Sequence, residues 1–98
     1  MLLVDRVRKV RSKNAGPYWV TVDIFCGDAA AYDDVKNSLS NPRVAGLFGC
    51  ETEMLKRFEV DSLQVLKFSF PRPVVQGSHL DRDMHGAQYS VLVGELEL

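Results

Sequence analysis

From Tyr18 to Cys26 the chain alternates between two kinds of position. Val20, Val22, Ile24 and Cys26 fall on one side of an extended backbone, and Trp19, Thr21, Asp23 and Phe25 fall on the other. This is the strongest strand signal in the sequence. Two more extended runs, over 55–60 and 63–70, flank the tight turn Asp61-Ser62 and predict a hairpin. In the second of them Leu66, Phe68 and Phe70 share a face opposite Val65, Lys67 and Ser69. Residues 90–98 read as a last strand, with Leu92, Leu96 and Leu98 inward and Val91, Val93, Glu95 and Glu97 outward.

Elsewhere the period is helical. Leu3, Val7 and Val10 stand at i, i+4 and i+7, which predicts an amphipathic helix over 3–11. Arg11-Ser12-Lys13-Asn14-Ala15-Gly16-Pro17 then forces a turn, because Asn and Gly tolerate positive φ and proline cannot continue a helix. Asp28 is placed to cap a second helix that buries Tyr32, Val35 and Leu39. Asn41-Pro42 restarts a shorter one, with Asn41 as its cap, Val44, Leu47 and Phe48 as its apolar face and Gly49 as its stop. A turn occupies 51–54. Pro71-Arg72-Pro73 ends the strand before it and opens a long polar segment that reaches Gln88.

The order α-β-α-α-β-β-loop-β, with one apolar side to each strand, predicts a single α+β domain over 1–98. It would be a two-layer sandwich of a mainly antiparallel four-stranded sheet with helices on one face. The arrangement resembles a permuted ferredoxin-like topology, the N-terminal helix standing in for the one that normally precedes the last strand.

Composition narrows the function classes. At 98 residues, 46% hydrophobic and 26% charged, the chain is neither disordered nor large enough for a second domain. No apolar run approaches the ~18 residues of a membrane span, and the N-terminus lacks a signal-peptide core, so a cytoplasmic location is expected. Twelve basic and thirteen acidic residues give a net charge of −1, which argues against a general nucleic-acid binder. Cys26 and Cys50 have no metal-finger spacing and read as free thiols in a reducing compartment.

Four sets of residues carry candidate chemistry. Asp23 and Lys67 lie mid-strand on outward positions and would meet across the sheet if their strands were neighbours, with Thr21 and Ser69 beside them. They are the candidate acid–base pair, and the plainer reading is a surface ion pair. In the predicted turn, Arg11, Lys13, Asn14 and the backbone near Gly16 could hold a carboxylate or phosphate, although cations at a helix C-terminus are also an ordinary response to its dipole. His79, Asp81, Asp83 and His85 alternate in a way that could reach one divalent ion, the weakest of the four. Finally, Trp19, Phe25, Val65, Val91 and Val93 all fall on the predicted helix-free side of the sheet, a patch of the kind that marks an interface. No nucleophile stands out, since Cys26 is on an apolar strand face and Cys50 has no histidine near it in sequence.

The segment Arg11-Ser12-Lys13-Asn14-Ala15-Gly16-Pro17 followed by Thr21-Val22-Asp23-Ile24-Phe25 resembles the opening of a family of uncharacterised proteins of about this length. Lys67, Pro71-Arg72-Pro73, Gly77-Ser78, Asp81, Asp83, Gly86 and Gln88 continue the likeness in order, and Tyr89-Ser90 departs from it. Proteins of this kind look like small companions of AtuA-like (acyclic terpene utilisation) proteins, beside them or fused to them. The resemblance implies a role in bacterial catabolism of acyl-CoA or organic acids, and it adds Arg72, Asp83 and Gln88 to Arg11, Lys13 and Asn14 as candidate ligand residues. The expectation is an accessory subunit with no cofactor that binds an AtuA-like partner or a second copy through its bare sheet face. The turn at 11–17 would supply an anion-binding edge to a shared site. The alternatives are a stand-alone lyase or hydratase acting on a carboxylate or CoA thioester, with Asp23 and Lys67 as acid and base, or a metabolite-binding sensor.

Overall fold

Two antiparallel hairpins, joined through their inner strands, make the sheet. In the computed structural model, which describes residues 1–16, 18–71 and 88–98 (Gln88 as backbone), β1 (Lys9–Asn14) pairs with β2 (Trp19–Phe25). Likewise β3 (Lys56–Val60) pairs with β4 (Val65–Pro71), and the strand order is β1-β2-β4-β3. At the centre the β2–β4 register sets Val20 opposite Phe70, Val22 opposite Phe68 and Ile24 opposite Leu66. All six side chains are fully buried. The alternation of both runs therefore does what it predicts: one face of the sheet is the floor of the core.

Helices cover that floor. After the single turn α1 (Leu3–Arg6) and the first hairpin, α2 (Ala29–Ser38) starts where the Asp28 carboxylate accepts from the Ala31 amide at 2.7 Å, the expected cap. For α3 (Asn41–Phe48) the cap is Ser40, whose hydroxyl accepts from the Arg43 amide, so Asn41 and Pro42 already lie inside the first turn. Gly49 ends that helix in the left-handed region, as its position suggested. The last helix is α4 (Gln88–Gly94). Phe48 of α3 stacks on Phe70 of β4 at 4.1 Å, and Tyr89 of α4 meets both rings edge-on, which ties three elements into one aromatic cluster. No described helix is long and apolar enough to cross a membrane.

Both ends of the chain differ from expectation. The stretch read as a helix over 3–11 is one helical turn followed by β1, and Arg11 to Asn14 lie in the strand rather than in a turn. The apolar trio is still oriented inward: Leu3 is buried, and Val7 and Val10 pack against the core. The strand alternation was hidden because the inward positions after Val10 are polar, Ser12 and Asn14. Ser12 has a reason to be there, since its hydroxyl accepts from the Ser90 amide at 3.0 Å, one of the first-turn N–H groups that α4 cannot satisfy itself.

At the other end, 90–98 is not a fourth strand. It is helical as far as Gly94 and then forms a single bridge, Leu2 with Glu97. Tyr89, Val93 and Leu96, spaced i, i+4 and i+7, are the residues that pack inward, so Val93 is 1% exposed while Val91 stands out at 58%. The four-stranded antiparallel sheet with helices on one face holds, but its fourth strand comes from the N-terminus. From β2 onward the chain runs strand, helices, strand, strand, helix, and β1 fills the place of the closing strand beside β2. That order is consistent with a permuted ferredoxin-like topology.

One side chain on the edge strand holds the helix layer down. Arg57 points inward from β3 and donates to the carbonyl of Leu39, to Lys36 O at 3.0 Å and to Asn41 Oδ1 at 3.3 Å. It also pairs with Glu59 at 2.8 Å and lies over the Phe68 ring. A guanidinium thus satisfies the open carbonyls at the end of α2 and the junction to α3. Replacing it should cost about 2–3 kcal/mol, because those acceptors lose a charged donor. Urea unfolding of Arg57→Ala should record that loss, and Arg57→Lys should recover less than half of it, since an ammonium cannot reach three acceptors. Glu53→Ala, on an exposed turn, should fall within about 0.5 kcal/mol of the parent chain.

Candidate functional site

On the side of the sheet away from the helices, the pairing registers place side chains in rows. Lys9, Phe25, Val65 and Val60 form one row, Arg11, Asp23, Lys67 and Phe58 the next, and Lys13, Thr21, Ser69 and Lys56 the third. Trp19 follows, opposite Pro71, with the Lys56 ammonium 4.9 Å from its ring centre. Val65 is buried yet stands outside the core cluster, and Thr21 is 6% exposed, so the middle of this face is already partly withdrawn from water.

Asp23 and Lys67 are directly opposite each other, as expected if their strands were neighbours, and Arg11 is opposite Asp23 on its other side. No ion pair joins the three among the described residues. Asp23 Oδ1 is buried and has no hydrogen-bond partner among the described residues. A carboxylate oxygen taken from water with no donor is costly, on the order of 1–3 kcal/mol. The row therefore holds an acceptor that lacks a donor between two cations that lack an acceptor.

Four of the described acids are engaged away from this face. Asp34 pairs with Arg6, Glu59 with Arg57, Asp61 with Lys36 and the Tyr32 hydroxyl, and Asp28 caps α2. Among the described strand residues, Lys9, Arg11, Lys13, Lys56 and Lys67 share the outward face with Asp23 as its one acid. A chain of net charge −1 carries one strongly basic side.

The candidate residues fall out as follows. Trp19, Phe25 and Val65 share the outward face, whereas Val91 and Val93 belong to α4 on the opposite layer and leave the proposed patch. Arg11 and Lys13 point outward from a strand, and Asn14 is turned to the helix side, so these residues do not form one cradle with Gly16. Arg72, Asp83, the Gln88 side chain and the set His79, Asp81, Asp83 and His85 lie outside the described residues. Phe58, 47% exposed at the end of the Asp23 row, was not singled out from sequence, because only the hairpin register decides its face.

Burial favours the protonated form of both thiols. Cys26 is 3% exposed in the core, and burial, reinforced by the nearby Asp28 charge, pushes its pKa up to about 11. Burial also raises that of the half-buried Cys50.

Residues 3–97 match the model of a family described as a domain of unknown function (DUF4387). No curated protein and no solved structure matches the chain.

With a disulfide-exchange reagent at pH 8, Cys50 should react first and Cys26 only when the chain unfolds, a difference of about a hundredfold or more in rate. An unfolded thiol ionises near 9.0 and the folded Cys26 only near 11, so within that window the unfolded state releases its proton first. Stability should then fall as pH rises from 9 to 11, and Cys26→Ala should flatten the fall, measured by urea unfolding across that range.

Proposed function

The chain belongs to this family of domains of unknown function, and we propose that it is an accessory domain that docks through its outward sheet face onto an acidic surface of a larger protein. The AtuA-like proteins to which the sequence bears a companion's resemblance are the proposed partner, in a pathway that handles acyl-CoA or organic acids. The observation that carries this reading is the row Arg11–Asp23–Lys67: two cations without an acid and a buried carboxylate oxygen without a donor. A partner that brings carboxylates to the cations and one N–H or O–H to Asp23 Oδ1 would complete it. Trp19 and Phe58 supply apolar anchors at its margins.

Electrostatics disfavours a second copy of the chain as the occupant. Two such faces brought together would set Lys9, Arg11, Lys13, Lys56 and Lys67 against the same five cations, with only Asp23 on each side to offset them. An unassisted enzyme is also disfavoured, because Asp23 and Lys67 sit on an open sheet and no described cavity encloses them both. Acid–base work by that pair would need the partner to close over it.

The test is co-expression of the chain with the AtuA-like protein of its own source, followed by native mass spectrometry and titration. A stoichiometric complex is expected, weakened by added salt as a charge-complementary interface should be. Lys13→Glu and Lys67→Glu together should raise Kd by about tenfold or more, and Trp19→Ala by about fivefold, with circular dichroism unchanged. The control Asp33→Asn, on the exposed side of α2 in the helix layer, should bind as the parent chain does. Unaltered binding by the charge-reversed double variant would sink the sheet-face reading.

A further inference from the structure

At one end of the outward face a cleft of about 310 Å³ opens between the start of β1, the end of β2 and the turn that precedes β4. Arg8, Lys9 and Arg11 line one side, and Phe25, Leu63, Gln64 and Gly27 the other. Its walls are pinned to one another by backbone: the Arg8 amide donates to Phe25 O at 2.9 Å, and the Cys26 amide to Gln64 O at 3.0 Å. Gly27 turns the chain out of β2 with φ +90°, a conformation that side-chain-bearing residues rarely adopt.

We infer that this cleft binds a small organic dianion, a phosphomonoester or a dicarboxylate carrying a compact apolar body. Charge supports the first half of the assignment. Among the described residues no acidic side chain lines the cleft and none of its three cations forms an ion pair. A single negative charge would leave most of that field uncompensated, whereas two charged oxygens can accept from both guanidinium forks and the ammonium. The opposite wall supports the second half. The Phe25 ring and the Leu63 side chain, 68% exposed to water, offer apolar surface to whatever the anion carries, and the Gln64 amide adds one donor and one acceptor. The volume matches the small end of ligand pockets, so the body is a ring or a short branched chain rather than a whole nucleotide.

The cleft shares Lys9 and Arg11 with the docking face but is complete without a docked partner, and its other lining residues separate the two readings. Arg8, Gly27, Leu63 and Gln64 are outside the Asp23 row, and Lys13 and Lys67 do not line the cleft. The two ideas therefore fail separately.

The experiment is an amide chemical-shift titration of the isolated chain with phenyl phosphate, 2-benzylsuccinate and inorganic phosphate. Saturable shifts of Arg8, Gly27 and Gln64 are expected with at least one of the two organic dianions, at a Kd of about 1 mM or tighter. Inorganic phosphate, which has no apolar body, should bind about tenfold more weakly. Whichever organic probe binds more tightly identifies the head group. Arg8→Gln should raise that Kd about fivefold or more while leaving partner binding unchanged, and Lys13→Glu should do the reverse. If neither organic dianion produces saturable shifts at these amides up to about 10 mM, or if Arg8→Gln binds the probe as the parent chain does, the assignment is wrong.

Discussion

The pairing of β2 with β4 is the constraint on which everything else rests. Each strand has an unbroken apolar side, Val20, Val22 and Ile24 against Phe70, Phe68 and Leu66, and the other side of the same strands carries Asp23 and Lys67. Because side chains alternate with a period of two, slipping either strand by one residue would turn its charge into the core and its aromatic or aliphatic residues into water. Burying one such charge without a partner costs several kcal/mol, which is a large share of what a domain of this size has to spare. The register is therefore not free to vary, and β1, β3 and the helices take their places from it. The same register decides which side chains make up the outward rows, so core and candidate site are two consequences of one alternation.

That dependence explains which parts could be read from the sequence. β2 and β4 were legible because every inward position is apolar, and the facing of Asp23 toward Lys67 followed once the strands proved to be neighbours. The ends were not legible from spacing alone. Leu3, Val7 and Val10 have the i, i+4, i+7 pattern and belong to a helical turn and a strand, while Tyr89, Val93 and Leu96 have the same pattern and pack inward from α4 and the residue pair after it. Three apolar positions fit more than one backbone path, and what selects the path is the surface they are packed against. Ser12 makes the point from the other direction: a polar residue on the core side of β1 breaks the alternation, yet it is satisfied by the Ser90 amide. Phe58 and Lys9 joined the candidate surface only when the hairpin registers were known, since neither shows its facing in a one-dimensional pattern.

Charge is distributed by the same logic. On the helix side, Asp28, Asp34, Glu59 and Asp61 are used locally, as a cap and as partners for Arg6, Arg57, Lys36 and Tyr32. The outward face gathers cations that find no acid of their own, so a near-zero net charge conceals a molecule with two electrically different sides. Such a field extends over roughly a Debye length, about 8 Å at physiological salt, enough to orient an approaching acidic surface before contact.

A field of one sign attracts any polyanion, and Asp23 is what makes this face selective. Its Oδ1 is buried and accepts from nothing in the described structure, so a complementary surface has to deliver a donor to that point as well as acceptors to Arg11 and Lys67. Phosphate groups offer only acceptors. Laid across the row, they would satisfy the cations, repel the carboxylate and leave its oxygen unpaired, which offsets much of what the cations contribute. A protein surface can present carboxylates and a single N–H or O–H in the required order, with acceptor, donor and acceptor about 5 Å apart across neighbouring strands. The central acid therefore excludes partners that match the face in charge alone and favours those that also match it in hydrogen-bonding order.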